Sequence, residues 1–224
     1  MRDYWEDLVF DGKLYKDCAV YSYEESDDET IYETFIGWRK DVVRAVTLRC
    51  SKPNIPTHLS EPLFCRAMGF IRIHKDRLTA KVSKAFDAYD VIRGMRQEVK
   101  TASVFEDTTS FSPKDRCDEL FWMDFFNRIE GNSNFSIYKL DKNAIINYKV
   151  NKNETFKDQQ DRGIRPRINI RKEFIIPYDL QPVCEGHIGM VNGKPRIIST
   201  QLLDLDSYEA NLDLTDPRNL KIFN

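Results

Sequence analysis

Glycine is scarce, nine among 224 residues. That weighs against a glycine-built phosphate loop or a site assembled mainly from mobile loops. Several catalytic signatures are also missing. There is no nucleophile elbow, Walker loop, dinucleotide fingerprint or pair of histidines at metal-binding spacing, and only three histidines occur. No run approaches the ~20 apolar residues that a membrane helix needs, so no transmembrane segment is expected. The opening residues, Met-Arg-Asp-Tyr-Trp-Glu-Asp, lack a basic start followed by an apolar stretch. A secretory signal is therefore not expected. Cys-x-x-Cys is absent, and the five cysteines are odd in number and widely spaced. This suits free thiols in a reducing, intracellular compartment better than a disulfide framework. Heptads, repeats and low-complexity stretches are missing too, which removes coiled-coil and solenoid architectures.

What is present is apolar and aromatic. Hydrophobic residues make up 41% of the chain, with fourteen Phe and ten Tyr. Such a chain buries a core and does not stay disordered. The net charge of −2 says nothing about partners, but its distribution does. Residues 1–35 carry eleven acids and three bases. Residues 36–100 carry fourteen bases and six acids, and residues 139–172 ten bases and four acids. Alternating blocks of this kind can pair with one another, or with a second copy.

Composition and periodicity predict an α+β fold with a mostly antiparallel sheet of about seven strands and two main helices near 79–100 and 113–130. Residues 1–30 read as an acidic N-terminal arm, 31–203 as one α+β domain, and 204–224 as an acidic tail. β-branched and aromatic content predicts strands at 31–38, 42–50 and 67–74, around a proline-rich loop at 51–62. Val82, Phe86, Tyr89, Ile92 and Val99 recur at helical spacing. Ser112-Pro113 reads as a helix start ahead of the bulky stripe Cys117, Leu120, Phe121, Phe125 and Ile129. Residues 135–140 and 144–150 read as a hairpin, and 164–176 as extended. Asn192-Gly193, which accepts positive φ, predicts a tight hairpin between 189–191 and 196–198.

Four groups of residues are candidates for chemistry. Arg162, Arg165, Arg167, Arg171 and Lys172 form a basic run in which Arg165, Arg167 and Arg171 share one face if the chain is extended. That face would bind a polyanion or a protein partner. Asp204 and Asp206, two residues apart after an apolar stretch, could hold Mg²⁺ at a strand end, as phosphoryl transferases do. Cys184 and His187 supply half of a zinc site or a thiol–imidazole pair, but no second close pair completes four ligands. Glu98-Val99-Lys100, with Asp87 or Asp90 upstream, bears a loose likeness to the acidic-plus-lysine pattern of nucleases. The helical period through these residues argues against it, because that chemistry needs Glu and Lys on a strand.

No convergent catalytic set emerges, and no metal site or cofactor is expected. The sequence leans away from an enzyme. The leading expectation is a non-enzymatic structural or assembly protein, such as a viral or phage virion component. It would dock into an oligomer or a larger particle through charge-complementary surfaces, so self-association or a protein partner is expected, with nucleic acid left open. The alternatives are a metal-dependent phosphoryl- or nucleotidyl-transfer enzyme using Asp204 and Asp206, and an RNA-binding module using the Arg165–Arg171 face.

Overall fold

The computed structural model describes residues 1–73, 86–104, 108–113, 117–125, 133–206 and 208. Among these, the elements run β1 (Arg2–Phe10), β2 (Lys13–Ser22), α1 (Asp28–Thr47), α2 (Thr57–Met68), β3 (Ile71–Ile73), β4 (Ala88–Asp90), β5 (Met95–Ala102), β6 (Thr109–Ser110), β7 (Glu119–Asp124), β8 (Asn134–Leu140), α3 (Lys142–Asn147), α4 (Phe156–Asp161), β9 (Arg167–Ile168), a π-helical turn (Arg171–Ile175), β10 (Cys184–Val191) and β11 (Lys194–Gln201). Nine strands form one sheet in the order β1-β2-β3-β4-β5-β7-β8-β10-β11. All neighbours pair antiparallel except β5 and β7, which run parallel from Gln97↔Glu119 to Ala102↔Asp124. β6 and β9 pair separately. The fold is α+β with a mostly antiparallel sheet, larger than the composition suggested.

Strand alternation sorts the core onto two faces. Phe121 and Met123 of β7 and Phe135 and Ile137 of β8 pack with α1 and α2 on one side. Leu120 and Trp122, with Tyr138 and Leu140, face the other side and are covered by α3, α4 and the π-helical turn. On β5, Val99 joins the first cluster, and Ala102 the second. A third cluster, including Leu8, Val20, Ile71 and Tyr89, seals the β1–β4 end.

Several predicted elements are corrected. The predicted strand at 31–38 and residues 42–47 of the next form one helix, α1, whose buried side chains Ile31, Phe35 and Trp38 fall at i, i+4 and i+7. Part of the proline-rich stretch is helix as well. Pro56 precedes α2, Pro62 lies within it, and Gly69 closes it at φ 74°. The predicted helix at 79–100 begins in residues outside the described set, and its described part is a hairpin. The Asp90 carboxylate accepts the amides of Ile92 (3.0 Å) and Arg93 (3.2 Å), which starts a turn, and Gly94 at φ 67° ends it. Ile92, placed on the predicted apolar stripe, is 96% exposed in that turn. The predicted helix at 113–130 likewise contains β7. A strand covered on both faces has no polar side, so its unbroken apolar run resembles a buried helix. Residues 144–147 of the second predicted strand belong to α3, with Asp141 capping its first turn. Of the extended reading of 164–176, only β9 is strand, and Arg171–Ile175 is helical. The acidic stretch before residue 30 carries a 3₁₀ turn at Glu25–Asp27 and the start of α1. The hairpin at Asn192-Gly193 forms as expected, with both residues at positive φ.

Candidate active site

The β4–β5 hairpin brings three polar residues together. Its register pairs Ala88 with Gln97, which sets Asp87 level with Glu98. The Asp87 amide donates to the Gln97 carbonyl (2.8 Å), and its carboxylate accepts the Val99 amide (3.0 Å), at the centre of Glu98-Val99-Lys100. Glu98 and Lys100 lie two apart on β5, so both side chains leave the same face, and they form an ion pair. Glu98 is only 6% exposed. It lines a cavity of about 50 Å³ with Phe111, Cys117, Lys142 and Gln160. The Lys100 ammonium lies 5.9 Å from the centre of the Phe111 ring. The structure therefore supplies the strand that the sequence reading denied to Glu98 and Lys100. Asp90 is placed elsewhere, spent on the hairpin turn.

Two arginine forks brace this hairpin against β7. Arg93 donates to both oxygens of Glu119 (2.6 and 2.7 Å) and to Asp90 (2.6 Å). Arg96 donates to Asp118 (2.9 and 2.7 Å) and to Asp11 (2.8 and 2.9 Å). Burial pushes both carboxyls up. For Asp118 the guanidinium and amide of Arg96 outweigh that, and for Glu119 the hydrogen bonds from Arg93, Lys139 and Gln97 do, so each ends below its ordinary pKa. The charges that aim β5 are thus held ionised across the neutral range.

The other sequence candidates lie apart from this trio. Asp204 and Asp206 flank the β4–β5 turn, at the opposite end of the hairpin. The Asp206 amide bonds the Asp204 carboxylate (3.1 Å), and Asp206 reaches Arg93 at 3.7 Å. Among the described residues, no group of three or more His, Cys, Asp or Glu is placed to hold a metal ion. Arg165, Arg167 and Arg171 do not form one face. Arg165 and Arg167 are exposed, whereas Arg171 begins the helical turn, is 4% exposed and pairs with buried Asp124. Arg162 pairs with Glu154, and Lys172 is exposed. Cys184 and His187, three apart on a strand, leave opposite faces. Burial pushes the Cys184 thiol up to about 11, and His187 bonds Asn134 (2.6 Å), so they form no reactive pair.

A family model described as Bsp6I restriction endonuclease matches residues 23–177, a span that contains the trio. The type II restriction enzyme Bsp6I of Bacillus sp. (strain RFL6) is 32% identical over 134 residues, which cover 59% of this chain and 71% of that enzyme. No solved structure matches. These two matches overturn the expectation of a non-enzymatic structural or virion protein, because the family they indicate is one of enzymes. Some of the charge behind that expectation is paired within the chain, as in Arg96–Asp11 and Arg66–Asp28. No helix among the described residues is long and apolar enough to cross a membrane.

Proposed function

The chain belongs to the Bsp6I restriction endonuclease family, and from that premise we propose that it hydrolyses phosphodiester bonds in double-stranded DNA at Asp87, Glu98 and Lys100. The observation that carries the reading is the hairpin geometry. It presents an acid and a lysine from one face of β5, with a second acid bonded to the amide between them. Asp87 and Glu98 fit a hard divalent cation such as Mg²⁺, because each offers carboxylate oxygens and Glu98 sits where few waters compete. When bound, such an ion supplies a Lewis acid for the phosphoryl oxygen and lowers the pKa of its water.

The chain's own groups do the rest. Lys100 brings a fixed positive charge to the charge that grows on the phosphoryl oxygens, stronger for being partly shielded from water. Glu98 holds the ammonium in place through their ion pair. Phe111 closes one side of the lysine against solvent. Hydrolysis adds water across one phosphorus–oxygen bond and leaves one phosphate end and one hydroxyl end. One trio serves one strand at a time, so cutting both strands takes two copies of the chain or two successive cuts. Under this reading the protein works on DNA, and its five free cysteines suit a reducing compartment.

The test is incubation of purified protein with plasmid DNA in Mg²⁺, and in excess chelator. Discrete fragments in Mg²⁺ that vanish with chelator are expected. Intact plasmid under both conditions, with folded protein, contradicts the reading.

A further inference from the structure

Residues 142–172 cover the sheet face from which Glu98 and Lys100 project. We infer that Arg165 and Arg167 in this cover grip the backbone phosphates of the DNA duplex beside the scissile bond. The inference rests on the nuclease reading above and gives that site its substrate-holding surface.

Three observations lead here. The first is alternation. Arg165 and Arg167 are exposed while Pro166 and Ile168 are buried, so this short extended stretch turns both guanidinium groups outward. Along an extended chain they stand about 6.6 Å apart. The second is position. The Pro166 carbonyl, between the two arginines, accepts the Phe111 amide (3.1 Å), and the Phe111 ring is 5.9 Å from the Lys100 ammonium. β9 also pairs Arg167 with Ser110. Two consecutive contacts thus link the arginine pair to the lysine of the trio. The third is charge. In this cover Glu154 is engaged by Arg162 and Asp161 by Lys157. Arg165 and Arg167 have no ion pair among the described residues, and the exposed Lys149, Lys152 and Lys172 add to the same sign.

An exposed arginine pair facing away from its own protein suits a polyanion, because each guanidinium can fork onto a phosphate and stays charged. A DNA duplex meets that requirement along its whole length, and the neighbouring trio acts on one of its bonds. Arg171, the third member of the sequence-predicted face, is excluded because it is turned inward onto Asp124.

The experiment measures binding of a labelled mixed-sequence DNA duplex, without divalent cation, over a range of salt. It compares the intact protein, the Arg165→Ala/Arg167→Ala double variant and Arg44→Ala. Arg44 lies on α1, which packs on the opposite sheet face. Each lost phosphate contact lowers the slope of log affinity against log salt by about 0.9, so the double variant is expected to lose about 2 from the slope and to bind more weakly. Arg44→Ala keeps the parent slope. Melting temperatures stay equal, since all three side chains are exposed. A double variant with the parent slope overturns the inference and leaves the nuclease reading intact. Equal slope losses in the double variant and Arg44→Ala overturn it as well, since general surface charge would then explain the binding. Intact protein that binds duplex yet never cuts plasmid in Mg²⁺ contradicts the nuclease reading alone.

Discussion

Replacing Arg171 by methionine removes the guanidinium from a carboxylate, Asp124, that stays 1% exposed beneath the cover of α3, α4 and the π-helical turn. Breaking one side of a buried ion pair costs about 3–5 kcal/mol, because the remaining charge keeps its desolvation penalty. The guanidinium also sits 5.5 Å from the Trp122 ring, and losing that contact adds about 1 kcal/mol. Methionine keeps some of the packing, so about 4 kcal/mol is a fair central value. For a chain of this length each kcal/mol moves Tm by about 2–4 °C, which gives a fall of about 8–16 °C. The double replacement Arg171→Met/Asp124→Leu removes both charges and should recover most of the loss, since apolar residues often replace a buried pair at little cost. Thermal and urea unfolding followed by circular dichroism read both variants, with an unchanged m-value confirming that stability alone moved. The reasoning is refuted if Arg171→Met melts within about 2 °C of the parent while duplex binding weakens. Arg171 would then be a phosphate ligand and not a buried brace.

Two further predictions concern acid and thiols. Asp118 and Glu119 have pKa values depressed in the folded protein, so their stabilisation is complete above the ordinary carboxylate range near pH 4 and is lost as pH falls through the depressed values. Unfolding free energy should be flat from pH 6 to about pH 5 and fall steeply below about pH 4, with a shallower fall in Glu119→Gln. An identical slope in that variant would count against the Arg93–Glu119 fork. In the thiol test, Cys50 is the exposed cysteine of the five, whereas burial raises the thiol pKa of Cys18, Cys65 and Cys184. A chromogenic disulfide reagent should therefore read one fast thiol in native protein and five after denaturation, and a second fast thiol assigned to Cys184 would contradict its placement.

The parts of the fold legible in sequence are those with local causes. Asn192-Gly193 fixes its turn through backbone conformations few other residues accept, so the β10–β11 hairpin could be read directly. The alternation of β8 was equally clear. The β4–β5 hairpin was hidden by an apparent helical period. Among the described residues Phe86, Tyr89, Ile92 and Val99 fall at helical spacing by coincidence, and Ile92 points into solvent in a turn. The contrary signal was Asp90 followed by Gly94, an acid that caps its own turn and a glycine at positive φ. Weighting that pair above the apolar period would have put Glu98 and Lys100 on a strand and revived the nuclease pattern. α1 shows the reverse error. β-branched and aromatic content suggested strands, but packing of Ile31, Phe35 and Trp38 against the sheet decided for helix. Arg171 was misplaced because even spacing with Arg165 and Arg167 matters only while the chain is extended, and the chain turns helical at Ile170.

A single side-by-side assay tests whether Asp87, Glu98 and Lys100 cut DNA. Asp87→Asn, Glu98→Gln and Lys100→Met are compared with the Asp204→Asn/Asp206→Asn double variant for initial rates of plasmid cleavage in Mg²⁺, with Tm measured for each. The three hairpin variants are expected to lose about 10²-fold or more in rate, the scale on which removing one charge-stabilising group acts, with rates taken below the Tm of each, since breaking the Glu98–Lys100 pair also lowers stability. The Asp204/Asp206 variant keeps the parent rate. Near-parent cleavage by Glu98→Gln and Lys100→Met, or loss of cleavage confined to Asp204→Asn/Asp206→Asn, would rule out the hairpin trio as the cutting site.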